Sequence, residues 1–317
     1  MAIGDIINKD DYNNIQSLAE DILGVGSSNY GYGQVVQSSP VDENNKVTVQ
    51  EWTLLRYDLT NIAIHQNGTA PGLPSATEGA KIKFDSTTEP YDRFQIFLAG
   101  LNTNRFQVAA NKILTTNHGG PADFTTLWKN ALQCTVTVEF PSGEAARNYF
   151  NAGGKIRFFS SRSGGTTSGG GNTIAAQNAN WTSLLNGASP AVFAGTTSLT
   201  LNGNNYFGCT SSYTSPFFSA TGTSAYGAND WTIYARTPGV ANNNAGTASV
   251  IEFRVEWNDD HVPQGASTVD GVDGTLTLSV DSVDPTTNFS LVPPGTGNFT
   301  ITPPDPAQTT FSAITGN

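Results

Sequence analysis

The chain has 317 residues, longer than a typical domain of about 100–150 residues, so one large β domain or two ordinary compact units are expected. Hydrophobic residues make up 37% and aromatic ones 10%, with only 13% charged and a formal net charge of −11. The apolar share excludes a wholly disordered chain, and an acidic balance with 15 Lys and Arg in all excludes recognition of nucleic acid through its phosphates, which needs clustered cations.

A shortage of ions beside abundant Gly, Ser, Thr and Asn points to strands joined by turn-rich loops, since Thr suits strands and Gly and Asn suit positive-φ turns. It also suits burial between neighbouring copies of the chain. Cys134 and Cys209 are too far apart in sequence for a disulfide framework or a zinc site and are read as small buried apolar residues. Residues Met1 to Asp21 are polar and acidic without an apolar run, which argues against a signal peptide or membrane anchor and for a soluble protein made in a cytoplasm. The four Asn-x-Ser/Thr sequences at Asn67, Asn180, Asn288 and Asn298 arise by chance in a chain of this composition and carry no weight.

In chain order, Asp11 caps a predicted helix with Tyr12, Ile15, Leu18, Ile22 and Leu23 at helical spacing, and Gly24 ends it. The Gly-Ser-Tyr loop from Gly24 to Ser39 is too polar for a core element and too aromatic for a spacer, so contact with something must order it. Thr48 and Glu51 form a capping box, in which each side chain satisfies a backbone N–H of the other, and Trp52, Leu55, Leu59 and Ile62 form the buried stripe of the helix it starts. The two helices have little apolar area of their own and need a larger body or another subunit to dock on. Lys81 to Phe84 alternates as a strand, and Pro90 opens a helix with Tyr91, Phe94, Phe97, Leu98 and Leu101 on one side, placed to cover a sheet.

Cys134, Val136, Val138 and Phe140 alternate with polar residues in a half-buried strand, whose expected partner is Lys155 to Phe159, with Glu139 facing Lys155 and Arg157. A short helix over Ser142 to Arg147 and a tight return over Asn151 to Gly154 would join the two. Arg162 to Asn172 reads as a flexible surface excursion, followed by a helix near Trp181 to Leu185. Further strands are expected near Ser198 to Leu201, Trp231 to Ala235, Ala248 to Trp257 and Thr275 to Val283. In the third of these Ile251, Phe253, Val255 and Trp257 share one face, and Glu252, Arg254 and Glu256 share another that is wet or paired with a neighbour's charges. From Pro293 onward two Pro-Pro pairs and an Asp-Pro predict an extended tail that cannot enter a sheet interior.

None of the standard metalloprotease, nucleophile-elbow, phosphate-loop, dinucleotide or EF-hand patterns occurs. His65 reads as structural, and so, with less weight of residues around it, does His118 beside Gly119-Gly120, where the alternative is a ligand role. Glu252 and Glu256 lie about 13 Å apart along a strand, too far for glycoside hydrolysis, with Arg254 between them as ion partner. Asp259, Asp260, Asp270, Asp273, Asp281 and Asp284 supply the loop oxygens that calcium would use. The aromatic segment 202–229 fits an ordered protein interface, and also loop packing or a sugar site.

The pattern Asp21-Ile22-Leu23-Gly24, Gly31-Tyr32-Gly33-Gln34, Trp52, Leu55, Asp58, His65-Gln66 and Gly68 resembles the opening of virion structural proteins of tailed bacteriophages, especially those of marine cyanobacteria. A second block, Asn104-Arg105-Phe106, then Asn148-Tyr149-Phe150-Asn151-Ala152-Gly153-Gly154-Lys155-Ile156-Arg157, then Trp181 to Leu185, is similar to one that recurs in those proteins. The resemblance covers about residues 10 to 190. It implies a non-enzymatic role in the tail, neck, baseplate or fibre apparatus, with no catalytic residues to carry over, in a virion built after synthesis in the cytoplasm of the infected bacterial host.

Together these readings predict a mainly β (α+β) protein, an antiparallel β-sandwich-like body with a small N-terminal helical module. Its expected segments are a docking module over 1–70, an α+β body over 71–190, a β-rich segment over 191–290 and a Pro-rich tail over 291–317. The expected function is that of a repeated subunit, a homo-oligomer (trimer or hexamer) that also contacts other virion proteins, with no catalytic residue, metal, cofactor, nucleic acid or membrane. The interface is expected at Tyr30, Tyr32, Gln34, Trp52 and Leu55 near the N-terminus and at Tyr206, Phe207, Tyr213, Phe217, Phe218 and Tyr226. Deleting residues 1–68 is expected to leave a soluble β body that no longer enters particles. The alternatives are a host-surface glycan-binding adhesin, a capsid decoration protein and a glycan hydrolase.

Overall fold

The computed structural model describes residues 9–77, 90–120, 123–169, 173–199, 203–240, 245–262, 271–285, 289–294 and 296–316. The strand expected over Lys81 to Phe84, the candidate ligand Asp270 and the end of the Gly-rich excursion, 170–172, lie outside them. In chain order the first elements are α1 (Lys9–Leu23), α2 (Val49–Asn67), α3 (Pro90–Thr103), β1 (Ile113–Gly119), β2 (Leu132–Glu139), α4 (Gly143–Asn151), β3 (Lys155–Ser163), α5 (Ile174–Ala188) and β4 (Ala191–Ala194). Then follow β5 (Ser198–Leu199), β6 (Gly203–Asn204), β7 (Pro216–Thr221), β8 (Asp230–Arg236), β9 (Val250–Asn258), β10 (Thr275–Pro285), β11 (Phe289–Ser290), β12 (Asn298–Phe299), β13 (Thr310–Phe311) and β14 (Thr315–Gly316). The chain is thus α+β and mainly β, with antiparallel sheets and its helical region at the N-terminal side.

It divides into two compact units: Met1–Leu114, Arg147–Gly154 and Asp284–Thr302 form the first, and Thr115–Ala146, Lys155–Val283 and Pro303–Asn317 the second. The first unit therefore draws on three separated stretches, and the tail expected over 291–317 is shared between the units.

In the first unit α2 is fixed at both ends by local chemistry. Thr48 accepts the N–H of Glu51 while the Glu51 carboxylate takes that of Thr48, and Gly68 closes the helix in the left-handed region at φ 81°. The stripe of Trp52, Leu55, Leu59 and Ile62 is buried as expected, but so are Asp58, Asn61, His65 and Gln66, so the helix is enclosed on most of its circumference. α1 and α3 pack on it and on each other, and an aromatic chain runs Tyr12, Trp52, Phe94 with ring centroids 5.5 Å apart at each step. The expectation that α3 covers a sheet is corrected: its apolar side, Phe94, Leu98 and Leu101, faces helices. The small apolar area of the helices is made up from the same chain, by Tyr149, Phe150, Leu291, Phe299 and Ile301, all buried. Deleting residues 1–68 would remove the core that these segments pack into, so the truncation is not a clean test of docking.

The second unit is two sheets in a sandwich-like stack. One has four strands in the order β1-β10-β3-β4, and the other runs β13-β2-β9-β8-β7, with β14 also pairing with β2. Alternation makes each strand two-faced: Leu132, Cys134, Val136 and Val138 of β2 and Ile251, Phe253, Val255 and Trp257 of β9 point inward and are fully buried. The inner faces meet where Phe253 touches Phe158 (4.8 Å) and Phe193 (5.2 Å), and Trp257 Nε1 donates to Ser160 Oγ (2.9 Å). The expected pairing of the strand at 134–140 with 155–159 is corrected. β2 pairs with β9, and β3 pairs with β10 and β4 in the other sheet, so Arg157 meets Asp281 in a two-pronged ion pair (2.7 Å for each bond) and not Glu139. Strand alternation reports which face is apolar but not which neighbour lies alongside.

Both cysteines are buried and unbridged. Burial pushes the thiol pKa of Cys134 up to about 11 and that of Cys209 up to about 12, so neither is a nucleophilic thiolate at neutral pH. No helix among the described residues is long and apolar enough to cross a membrane.

Candidate functional site

The outward face of the larger sheet carries a cluster of charged and aromatic side chains. Register lines them up in rows: Thr137, Glu252 and Arg236; then Thr135, Arg254 and Tyr234; then Gln133, Glu256 and Thr232; then Asn258 and Asp230. Arg236 Nε donates to Glu252 Oε2 (2.6 Å), and Arg254 Nε sits 2.8 Å from Glu256 Oε1. Tyr213, from the loop before β7, lies across the first two rows. Its ring centroid is 4.6 Å from the Arg236 guanidinium and 4.7 Å from that of Arg254, and Arg254 is 4.4 Å from the Tyr234 ring, so one guanidinium contacts two tyrosines. The Tyr213 hydroxyl donates to Glu252 Oε2 (3.4 Å). Burial pushes the Tyr213 pKa up to about 12, with Glu252 adding to the rise and Arg236 and Arg254 opposing it. Burial also holds the Glu256 carboxyl above the usual carboxylate range against the pull of Arg254, and Asp230 adds to the effect. The charge stripe expected at Glu252, Arg254 and Glu256 is therefore present and pairs within the chain. Tyr234 and Arg236 are not among the residues singled out from the sequence, where β8 is only a strand expected near Trp231 to Ala235 with no face assigned. The alternation of Asp230, Thr232, Tyr234 and Arg236 between Trp231, Ile233 and Ala235 is the signal that marks them.

Other candidate groups lie inside. His118 Nε2 is 2.8 Å from Ser282 Oγ and its Nδ1 is 2.9 Å from Thr309 Oγ1. This has the spacing of a nucleophile, base and orienting group, but Ser282 is 0% exposed and His118 and Thr309 are buried. A substrate carbonyl has no access to the hydroxyl, so the trio ties β1, β10 and the C-terminal segment together. Asp273 accepts from the Thr166 N–H (2.9 Å) and hydroxyl (2.7 Å) and from Asn178, while Arg162 donates to the Asp273 and Gly164 carbonyls (both 2.8 Å). The Gly-rich excursion is thus anchored at its near end. Among the described residues no three His, Cys, Asp or Glu side chains gather as metal ligands. A shallow groove of about 290 Å³ between α5 and β7 is lined by Asn180, Ser183, Leu184, Thr221 and Thr223, with no charged group.

In the first unit the Gly-Tyr loop is ordered by the unit itself. Its N–H groups at Gly31, Tyr32, Gly33 and Gln34 return to carbonyls at Val25, Ile22, Gly24 and Leu23, and Asn151 Nδ2 donates to the Asn29 and Gly31 carbonyls (2.9 Å each). Gly33 is at φ 68° with Asn148 against its Cα, so a Cβ there would collide with the amide. The Tyr32 hydroxyl donates to the Arg105 carbonyl (2.6 Å) and accepts from Gln66 Nε2 (2.7 Å). Gln34 exchanges hydrogen bonds with the backbone of Thr300. Asp58 accepts from the N–H groups of Gln37 (3.0 Å) and Ser38 (2.8 Å) and from the Ser38 hydroxyl (2.6 Å). Burial raises its pKa, and these bonds oppose the rise. His65, fully buried, donates from Nε2 to the Ala152 carbonyl (2.9 Å) and stacks on Phe299 (4.6 Å). Burial drops its pKa to about 4.

The expected interface set is corrected accordingly. Tyr32, Trp52, Leu55, Tyr206, Phe207 and Tyr226 are core residues of their own units and present no surface to a partner. A β-bulge between Pro216 and Phe218 turns both phenylalanines inward, Phe217 onto Phe193 (5.1 Å) and Phe218 onto Trp231 (4.9 Å). Tyr30, Gln34 and Tyr213, like Phe217 and Phe218, are half-buried, and of these Tyr213 lies on the charged face. A sugar platform built from segment 202–229 loses the same rings. Comparison of the chain with protein-family models, with curated proteins and with solved structures finds no match.

Proposed function

We propose that this chain is a non-enzymatic structural subunit of a tailed-phage virion, in the tail, neck, baseplate or fibre apparatus, and that it works by ordered assembly of repeated copies. The observation that supports this reading is where the residues carrying the family resemblance fall. The side chains of Tyr32, His65, Gln66 and Asn151 and the carbonyls of Arg105 and Ala152 come from four distant stretches and meet in one hydrogen-bonded network in the first unit. What the resemblance shares is therefore a scaffold: these side chains hold backbone in place and none is displayed for chemistry. The charged face of the second unit, neutralised by its own ion pairs and rich in Tyr and Arg, suits contact with protein rather than with substrate. Made in the host cytoplasm, the subunit acts in the virion. Mass spectrometry of phage particles purified through a density gradient tests the reading: the chain is expected in the particle fraction at several copies per virion. Its confinement to the soluble lysate would overturn the proposal.

A further inference from the structure

The register of the larger sheet fixes where each charge on its outer face lies, and the arrangement has a symmetry that the intrachain pairs do not require. Along β9 the outward residues run Glu252, Arg254, Glu256, Asn258, and beside them on β8 run Arg236, Tyr234, Thr232, Asp230. Successive rows are about 7 Å apart. Consider a two-fold axis lying in the plane above this face, perpendicular to the strands, between the Arg254–Tyr234 row and the Glu256–Thr232 row. It places Arg254 of one copy over Glu256 of another and Arg236 over Asp230, and the operation generates the reciprocal pairs. Glu252 then meets the amide of Asn258, and Tyr234 meets Thr232. No like charges coincide among these eight positions. An isologous contact needs such self-complementarity.

We infer that this face is an isologous docking surface for a second copy of the chain, formed by stacking the two outer sheet faces about that axis. Composition agrees: the four rows hold two Arg and one Tyr, joined by Tyr213 from the preceding loop, and no Lys, the bias of interface hot spots over ordinary solvated sheet faces. The charges are already partly desolvated, with side-chain exposures of 13% for Glu256 and 20% for Glu252, so covering them removes little further water. An arginine that meets one carboxylate through Nε still has donors in its planar fork for a second. The inference rests on the reading of the chain as a repeated subunit and names the partner for one of its surfaces; a three-fold or six-fold ring would use a different one.

Sedimentation velocity of the purified full-length chain and of two charge variants, Arg254→Glu and Glu256→Arg, tests it. The unaltered chain is expected to sediment as a dimer, and each variant alone as a monomer, with self-association weakened at least tenfold. In an equimolar mixture of the variants, both inter-copy contacts pair Glu with Arg, and the heterodimer is expected to form. That rescue cannot come from an intrachain effect. If one variant fails to fold by circular dichroism, the pair Arg236→Glu and Asp230→Arg applies the same logic. A monomeric unaltered chain, variants that dimerise undiminished, or a folded mixture that stays monomeric would each overturn the inference. None of these results bears on whether the chain is found in particles, so the broader reading stands or falls separately.

Discussion

Both units bury polar side chains, such as His65 in the first and His118 and Ser282 in the second, but they build their cores differently. In the first, Asp58, Asn61, His65, Gln66 and Asn151 are buried and spend their hydrogen bonds on irregular backbone tens of residues away. In the second, the space between the sheets is filled by Phe158, Phe193, Val255 and Trp257, while Glu252, Arg254, Glu256 and Arg236 stay on the outer face. The first unit thus ties its helices to irregular backbone, whereas the second adds to its buried bonds, as at His118, Ser282 and Thr309, an apolar layer between two sheets. Protonation of His65 should act on the first unit, and truncation between the sheets on the second.

Truncating the centre of the sandwich should give the largest effect. Trp257→Ala removes a ring that is 0% exposed, its bond to Ser160, and its packing at the end of a row shared with Leu132 and Trp231. A loss of about 3–5 kcal/mol is expected, read as collapse of amide protection in β2, β8 and β9 by hydrogen exchange. Protection that survives in those strands would contradict a core centred there.

His65 separates the units by pH. Its folded pKa of about 4 lies below an unfolded value of about 6.5, so as pH falls through that window the unfolded chain binds a proton that the folded chain refuses. Stability of the first unit is complete above pH 6.5 and declines toward pH 4, by about 3 kcal/mol at the limit. In His65→Gln, where an amide can still donate to Ala152, this part of the decline should vanish. Denaturation at pH 7 and pH 4.5 checks it, and an unchanged slope would mean that His65 is not the group responsible. The smallest effect is expected from Asp58→Asn, which keeps one acceptor oxygen but turns an NH2 toward donors at Gln37 or Ser38. A cost of about 2 kcal/mol is expected, with the loop at 37–38 exchanging before the helices.

Features set by local sequence were legible. The capping box of α2 is written within four residues, and the strands β2 and β9 each show an unbroken two-residue alternation. Partners across space were not, because the alternation of β2 is equally compatible with β3 or β9 as neighbour. Phe217 and Phe218 were misplaced because a bulge suspends the alternation at that point. Tyr206 and Tyr226 sit in a Gly-, Ser- and Asn-rich stretch with no period, where a ring packed inside its own loop and a ring offered to a partner have the same sequence surroundings. The Tyr206 hydroxyl donating to the Ala248 carbonyl and Asp58 receiving Ser38 are contacts between distant residues with no periodic signature. The scaffold role of Tyr32, His65 and Asn151 emerges only when three stretches of chain come together.

The most direct measurement is an image reconstruction of intact phage particles at a resolution that places side chains. Our account requires density for both units at a repeated, symmetry-related position, with Trp257 and Phe253 inside a sandwich and the Arg254 face against protein. Particles in which every repeated density is accounted for by other chains would contradict it.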